Sequence, residues 1–207
     1  ILDGAARIAE TWRRRHEQLR LNTHRHFSRL PGRALPRGAG SFANRDTVVG
    51  YLEAYARELR SPIEFGVRVF RIDRLDSGWC LQTSAGEITA HQVVVATGRE
   101  RVPLIPEWPG LESFTGKLIH AAEFGNVEDY RDRSILVVGA GNSGVDVLNH
   151  LVRIRTRELR VAVRTGAAIV PTRLWGIPVQ RLSGLMSRLP TRLVDRLLAI
   201  TERVAFG

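Results

Sequence analysis

The residues that most constrain this chain are Gly139-Ala140-Gly141-Asn142-Ser143-Gly144. An apolar run, Ile135-Leu136-Val137-Val138, precedes them and reads as a buried parallel strand. Val145-Asp146-Val147-Leu148-Asn149-His150-Leu151 follows, with apolar positions that fit a helix. This is G-x-G-x-x-G in a strand–turn–helix setting, the arrangement by which βαβ folds bind dinucleotides. The first glycine permits the tight turn, the second admits a pyrophosphate close to the backbone, and the third lets helix and strand pack closely. Free N–H groups and the positive end of the helix dipole then face the phosphates. The plainer alternative is a tight βα turn with no ligand.

The residues after the next apolar run bear on which nucleotide is bound. Leu159-Arg160-Val161-Ala162-Val163 ends at Arg164-Thr165, where an NAD site normally carries a carboxylate for the ribose 2′-hydroxyl. Arg164 has no carboxylate beside it, and a guanidinium suits a 2′-phosphate, so the reading is NADP. The alternative is a solvated arginine at a strand end.

Charge and cysteine usage exclude several function classes. Of 31 Lys and Arg residues Lys117 is the single lysine, and the formal net charge is +10. The arginines are spread along the chain, with one block at Arg13-Arg14-Arg15 and no interleaved aromatics. This is not the pattern of a nucleic-acid binder. One cysteine, Cys80, allows neither a disulfide framework nor a C-x-x-C redox pair, and it is expected to be buried and inert. No apolar run is long enough to span a membrane and no signal peptide is recognisable, so the expected location is the cytoplasm.

The organisation reads as α/β. Asp46 is expected to cap a helix over 46–60. Ile63–Ile72, Trp79–Ser84 and Glu87–Ala96 are expected as three strands of a meander that leads into Ala96-Thr97-Gly98. Pro103, Pro106 and Pro109 mark an extended linker. The tail over 178–205 is amphipathic, with Leu182, Leu185, Met186, Leu189, Leu193, Leu197 and Ile200 among arginines. It reads as helix packing on the body, with peripheral membrane contact as the alternative. The chain begins at Ile1 in mid-pattern and ends directly after a helical pattern, as expected of a fragment.

Four stretches together resemble one family. Phe114-Thr115-Gly116-Lys117-Leu118-Ile119-His120-Ala121-Ala122-Glu123-Phe124 fits F-x-G-x-x-x-H-x-x-x-(aromatic). Gly139–Gly144 fits a second, NADPH-binding glycine motif. Ala96-Thr97-Gly98 fits the A-T-G at which the chain leaves a flavin domain. Leu19-Arg20-Leu21-Asn22-Thr23, followed by Leu30-Pro31-Gly32, fits a segment near the flavin ring. In their order and spacing the chain resembles the flavin-containing monooxygenases with the Baeyer–Villiger and YUCCA-type enzymes. A first glycine motif, for the FAD pyrophosphate, and a returning strand with a second A-T-G belong to that pattern and are not in these residues.

The resemblance implies two nested Rossmann-like dinucleotide-binding domains: a partial FAD domain with the meander over 1–104, and an NADP domain over 105–207. It implies FAD and NADPH as cofactors and dioxygen as co-substrate. One oxygen would pass through a C4a-peroxyflavin to a small organic nucleophile or carbonyl. Asp3 matches the carboxylate on the FAD ribose, and Val69 the backbone contact to adenine. Ala96, Thr97 and Gly98 match the domain crossing. Trp12 is a flavin-side candidate, with plain packing as the alternative. Asn22 matches an asparagine facing flavin and nicotinamide, where a neutral donor steadies developing charge. Gly139, Ala140, Gly141, Asn142, Ser143 and Gly144 would take the NADP phosphates, and Arg164 and Thr165 the 2′-phosphate. His120 has the residue type of a catalytic base, though in this family it reads as structural or conformational. His24 and His26 have no companion ligands at metal spacing, and no metal is expected. An NADPH-dependent flavoprotein reductase that does not oxygenate, and a non-catalytic NADP-binding fragment, remain open.

Overall fold

The computed structural model describes residues 1–98, 102–164, 171–174 and 176–206. Strand β1 (Leu2–Asp3) is followed by the short helix α1 (Glu10–Arg13) and the helix α2 (Arg45–Glu58). Strands β2 (Glu64–Phe65), β3 (Val69–Leu75), β4 (Gly78–Thr83) and β5 (Gly86–Ala90) come next. Then β6 (Ser134–Val138), α3 (Asn142–Leu151) and β7 (Glu158–Ala162) form a strand–helix–strand unit. Strands β8 (Arg173–Leu174) and β9 (Ile177–Pro178), and helices α4 (Ser183–Met186) and α5 (Thr191–Phe206), complete the order. The architecture is mixed α/β, with parallel pairs β1–β2 and β6–β7 and antiparallel pairing in β3–β4–β5 and β8–β9.

The chain divides into two compact units. One comprises Ile1–Arg15 with Val49–Glu123, the other His16–Val48 with Phe124–Gly207.

In the first unit, β1 runs parallel to β2 in the register Leu2 to Glu64 and Asp3 to Phe65. The strand expected over 63–72 breaks at Gly66, whose φ of +71° is open to glycine at no steric cost. The meander is as expected through β4 and β5, but the third strand stops at Ala90. Residues 92–98 are irregular, and Val94 and Val95 are 89% and 68% exposed. An extended segment becomes a strand only when a neighbour takes its N–H and C=O groups, and no described strand does so here. Cys80 pairs with Asp73 and Thr89 in the meander and is half-buried, not buried.

The start of α2 also differs from expectation. Asn44, not Asp46, caps it: the Asn44 side-chain oxygen accepts from the Thr47 N–H at 2.9 Å, while Asp46 lies in the first turn and pairs with Arg45. An oxygen two or three residues before the free N–H groups has the reach that an in-helix carboxylate lacks.

In the second unit, β6 pairs with β7 from Ser134–Glu158 to Val138–Ala162. Helix α3 buries Val147 and Leu151, which are 8% and 1% exposed. Burying a leucine or valine of this kind contributes about 1.5–3 kcal/mol. Other apolar side chains of the sheet stay open, Leu136 and Val138 at 59% and 56%. The tail is helical but does not pack as expected. Leu193, Leu197 and Ile200 of α5 are all exposed. No helix among the described residues is long and apolar enough to cross a membrane.

Candidate functional site

The glycine turn joins β6 to α3. The Gly139 N–H donates to the Ala162 carbonyl at 2.8 Å, fixing the end of β6 against β7. Gly139 has a φ of +96°, which a side chain would strain. Gly141 is the N-cap of α3, extended with φ −74° and ψ −178°. The glycines have separate jobs. A Cβ at Gly144 would overlap the Gly139 carbonyl oxygen and lie 3.0 Å from its carbon, so this position must be glycine for helix and strand to touch. A Cβ at Gly139 or Gly141 would meet nothing within 4 Å. Open space beside exposed Gly141, Asn142 and Ser143, at the end of a ten-residue helix, is what a phosphate group needs. These residues therefore fit a dinucleotide. Arg164 is exposed just beyond β7 and forms no ion pair with a described residue. Thr165 lies outside the described residues.

The segment bearing Asn22 is held in the same unit by a short antiparallel ladder. Leu21 N–H donates to Ala43 O at 2.8 Å, Arg45 N–H to Leu19 O at 3.0 Å, and Arg25 N–H to Ser41 O at 2.8 Å. Gln180 then clamps its tip. Its amide donates to the Asn22 carbonyl at 2.8 Å, and its oxygen accepts from the His24 N–H at 2.5 Å. Asn22 is exposed, and its side-chain oxygen is 3.4 Å from the Thr23 hydroxyl. Gln180 is 158 residues from Asn22, and nothing in the sequence marks it.

Beside this clamp is an open cavity of about 880 Å³ lined by His24, Arg25, His26, Arg29, Arg37 and Arg181 with Phe27, Leu35 and small residues. Its lining contains no carboxylate. Burial, then Arg181, Arg25 and other neighbouring cations, push His24 below its ordinary value, so it is neutral at neutral pH.

A second cluster surrounds α3. His16, 8% exposed, approaches Asp146 with Nε2 2.7 Å from Oδ2. His150 approaches the same carboxylate with Nε2 3.5 Å from Oδ1. The His16 ring lies edge-on to Phe124 and to His150, with centroids 5.4 Å away in each case. Phe124, the aromatic that closes the F-x-G-x-x-x-H pattern, stacks on Tyr130, whose hydroxyl donates to the Phe124 carbonyl at 2.7 Å. Burial lowers the His150 pKa, and Asp146 partly offsets this. The i, i+4 spacing of Asp146 and His150 was visible in the sequence, whereas the contribution of His16 was not.

Apart from Asn22, the flavin-side candidates belong to the first unit. Asp3 is half-buried at the end of β1, and its Oδ1 accepts from the Ala5 N–H at 2.9 Å, the turn-forming role of a strand-end aspartate. The Val67 N–H donates to Asp3 O at 3.1 Å, which brings Asp3 beside the stretch leading to Val69, the first residue of β3. Trp12 is half-buried in α1. Ala96, Thr97 and Gly98 are exposed and irregular, outside any described strand. His120 caps its own turn: its Nδ1 accepts from the Ala122 N–H at 3.1 Å. A Cβ at Gly116 would overlap the Phe114 ring, an exposed side chain that can turn aside.

Comparison with known proteins adds the following. The chain is 31% identical over 212 residues to indole-3-pyruvate monooxygenase YUCCA1 of Oryza sativa subsp. japonica, covering 100% of this chain and 52% of that one. The chain thus spans about half the length of the curated relatives it matches. A flavin monooxygenase variant from Stenotrophomonas maltophilia superimposes with a TM-score of 0.72 and 26% identity, over 79% of this chain and 49% of that one. Cyclohexanone monooxygenase in an open form gives 0.66 and 27%, over 82% and 35%. Residues 34–172 match the family model described as pyridine nucleotide-disulphide oxidoreductase. The chain belongs to that family and, within it, is similar to the flavin monooxygenases.

Proposed function

We propose that the protein containing this chain is an FAD-dependent, NADPH-consuming monooxygenase that oxygenates a small organic nucleophile or carbonyl. The observation that carries the nucleotide half of this reading is the division of labour in the glycine turn, where Gly144 is closed by packing and Gly139 and Gly141 face open space; the oxygenase half rests on the similarity to the flavin monooxygenases. When bound, NADPH supplies hydride and FAD supplies the chemistry of dioxygen. The chain's own residues bind and orient. Gly141, Asn142 and Ser143 take the pyrophosphate at the start of α3, and Ala140 completes the turn. Arg164 and Thr165 take the 2′-phosphate. The Stenotrophomonas variant carries Arg and Thr in place of adjacent Gln and His, the same residue pair in the same order as Arg164-Thr165.

On the flavin side, Asp3 Oδ2, which has no partner among the described residues, accepts from a ribose hydroxyl, and the Val69 backbone meets adenine. Trp12 and Ala96-Thr97-Gly98 border that cofactor. Asn22, held by Gln180, presents a neutral amide to the reacting region. His120 positions its turn through Nδ1 and acts on the reaction through geometry. In this reading residues 1–104 belong to a partial FAD domain, and 105–207 form an NADP domain nested in it. The cationic cavity beside Asn22 favours a substrate with a carboxylate.

The test is a substrate panel on the full-length protein. It comprises an indole-bearing 2-oxo acid, a cyclic ketone, amines and sulfides. NADPH consumed, hydrogen peroxide formed and oxygenated product are measured together. Product carrying oxygen from isotopically labelled dioxygen supports the proposal. Rapid NADPH oxidation with electrons passing to an acceptor and no product from any substrate contradicts it and makes the protein a reductase. NADPH binding without oxidation makes it a non-catalytic module.

A further inference from the structure

We infer that His16, Asp146 and His150 form a binding site for one zinc-class divalent cation, which clamps the His16 segment to helix α3. Suitable ligand atoms of the three residues lie within 4.8 Å of one another. Both imidazoles turn Nε2 toward one carboxylate, at 2.7 Å and 3.5 Å. Zinc bonds nitrogen and carboxylate oxygen at about 2.0–2.1 Å, so tetrahedral ligand atoms stand roughly 3.3 Å apart. Each histidine has its own Asp146 oxygen near that separation, Oδ2 for His16 and Oδ1 for His150, and a triangle with one ligand atom from each residue, its edges no longer than 4.8 Å, closes on an ion by side-chain adjustments of at most about 1.5 Å.

The local chemistry favours a cation. The polar complement of the cluster is incomplete at an atom the ion would use, since the buried His150 Nε2 has no hydrogen-bond partner. Asp146 pairs with no arginine among the described residues, although the chain is rich in arginine. Two imidazoles and a carboxylate with no arginine beside it make a donor set of the kind that binds zinc. Asp146 and His150 are one turn apart on α3, the i, i+4 spacing that aims two ligands from one helix face. His16 comes from 130 residues earlier, so an ion here ties distant chain together. On binding, Nε2 of each histidine carries the metal, and the remaining imidazole proton resides on Nδ1.

Cobalt and zinc titrations of the metal-stripped full-length protein test this. One equivalent of cobalt should give the visible bands of a tetrahedral N/O site, zinc should bleach them, and zinc should raise the melting temperature in a chelator-reversible way. His16→Gln, Asp146→Asn and His150→Gln should each weaken cobalt binding tenfold or more. A measurement on unmutated protein guards against misfolded variants. Zinc should shift the imidazole resonances of two of the six histidines and leave those of His24 and His26 in place. No cobalt spectrum and no zinc-dependent melting shift in folded protein would overturn the site, leaving a hydrogen-bonded triad only. So would a spectrum retained in all three folded variants, or zinc shifts confined to His24 and His26.

Discussion

At its N-terminus α3 closes a turn made of six consecutive residues, whereas from its middle and its last turn it offers Asp146 and His150 to His16, which is 130 residues before Asp146. The first region is local. Its geometry follows from which positions lack a Cβ, and a one-dimensional pattern records it. The second is tertiary. Its three side chains meet because the ladder at Leu19–Leu21 and the packing of Val147 and Leu151 bring separate segments into one unit. Glycine spacing therefore exposes a site that backbone builds, while a site built by side chains from distant segments stays hidden until the chain folds.

The largest expected effect separates packing from binding inside the turn itself. Gly144→Ala places a methyl group against the Gly139 carbonyl oxygen, which is backbone and cannot swing aside. The expected loss is about 3 kcal/mol, at the upper end of overpacking costs, read from the urea midpoint of the full-length protein. A change within about 0.5 kcal/mol would show that helix and strand do not meet at this glycine.

Next comes the cofactor's 2′-phosphate. Arg164→Ala should weaken NADPH by tenfold or more and leave NADH nearly unchanged. A charge-assisted hydrogen bond is worth about 1.5–3 kcal/mol and only NADPH offers the phosphate. Equal losses for both nucleotides in a titration would make Arg164 a general electrostatic contributor. In that case the specificity lies elsewhere.

The smallest effect is expected at the cationic cavity, where side chains from separate segments again set the chemistry. His24 has a folded pKa below its ordinary value of 6.5, owing to burial and then Arg181. The unfolded chain therefore binds the proton more readily. The corresponding stability is present above about pH 6.5 and is lost as pH falls through the folded value. Urea midpoints over that range should decline on acidification, and His24→Gln should flatten the decline. An unchanged slope in the variant would assign the pH dependence to other groups.

What could be read from the sequence follows the same division. The strand–turn–helix at Ser134–Leu151, the meander and the α/β class were apparent because each rests on local periodicity or glycine placement. The strand expected through Ala96 failed, because alternation alone supplies no neighbour to share its hydrogen bonds, and Val94 stands exposed. The cap of α2 was read two residues too late because Asp46 and Asn44 are both good capping residues. Only geometry shows that Asn44 bonds the Thr47 N–H. The tail's apolar stripe was real, yet Leu193, Leu197 and Ile200 face outward, since periodicity shows that a helix has an apolar face and not what covers it. Gln180 and His16 had no signal, because a glutamine in a basic tail and a histidine after three arginines gain meaning only from partners distant in sequence.

A pyridine dinucleotide in the open space beside Gly141 is the part of the proposed function most open to direct test. Gly141→Leu addresses it directly, since its backbone angles suit any residue and an added Cβ meets nothing within 4 Å. The measurement is NADPH affinity by titration calorimetry, with the urea midpoint taken on the same sample. The expected result is a stability within about 0.5 kcal/mol of the parent and an NADPH affinity reduced by roughly tenfold or more. Unchanged NADPH affinity in a folded Gly141→Leu protein would contradict it.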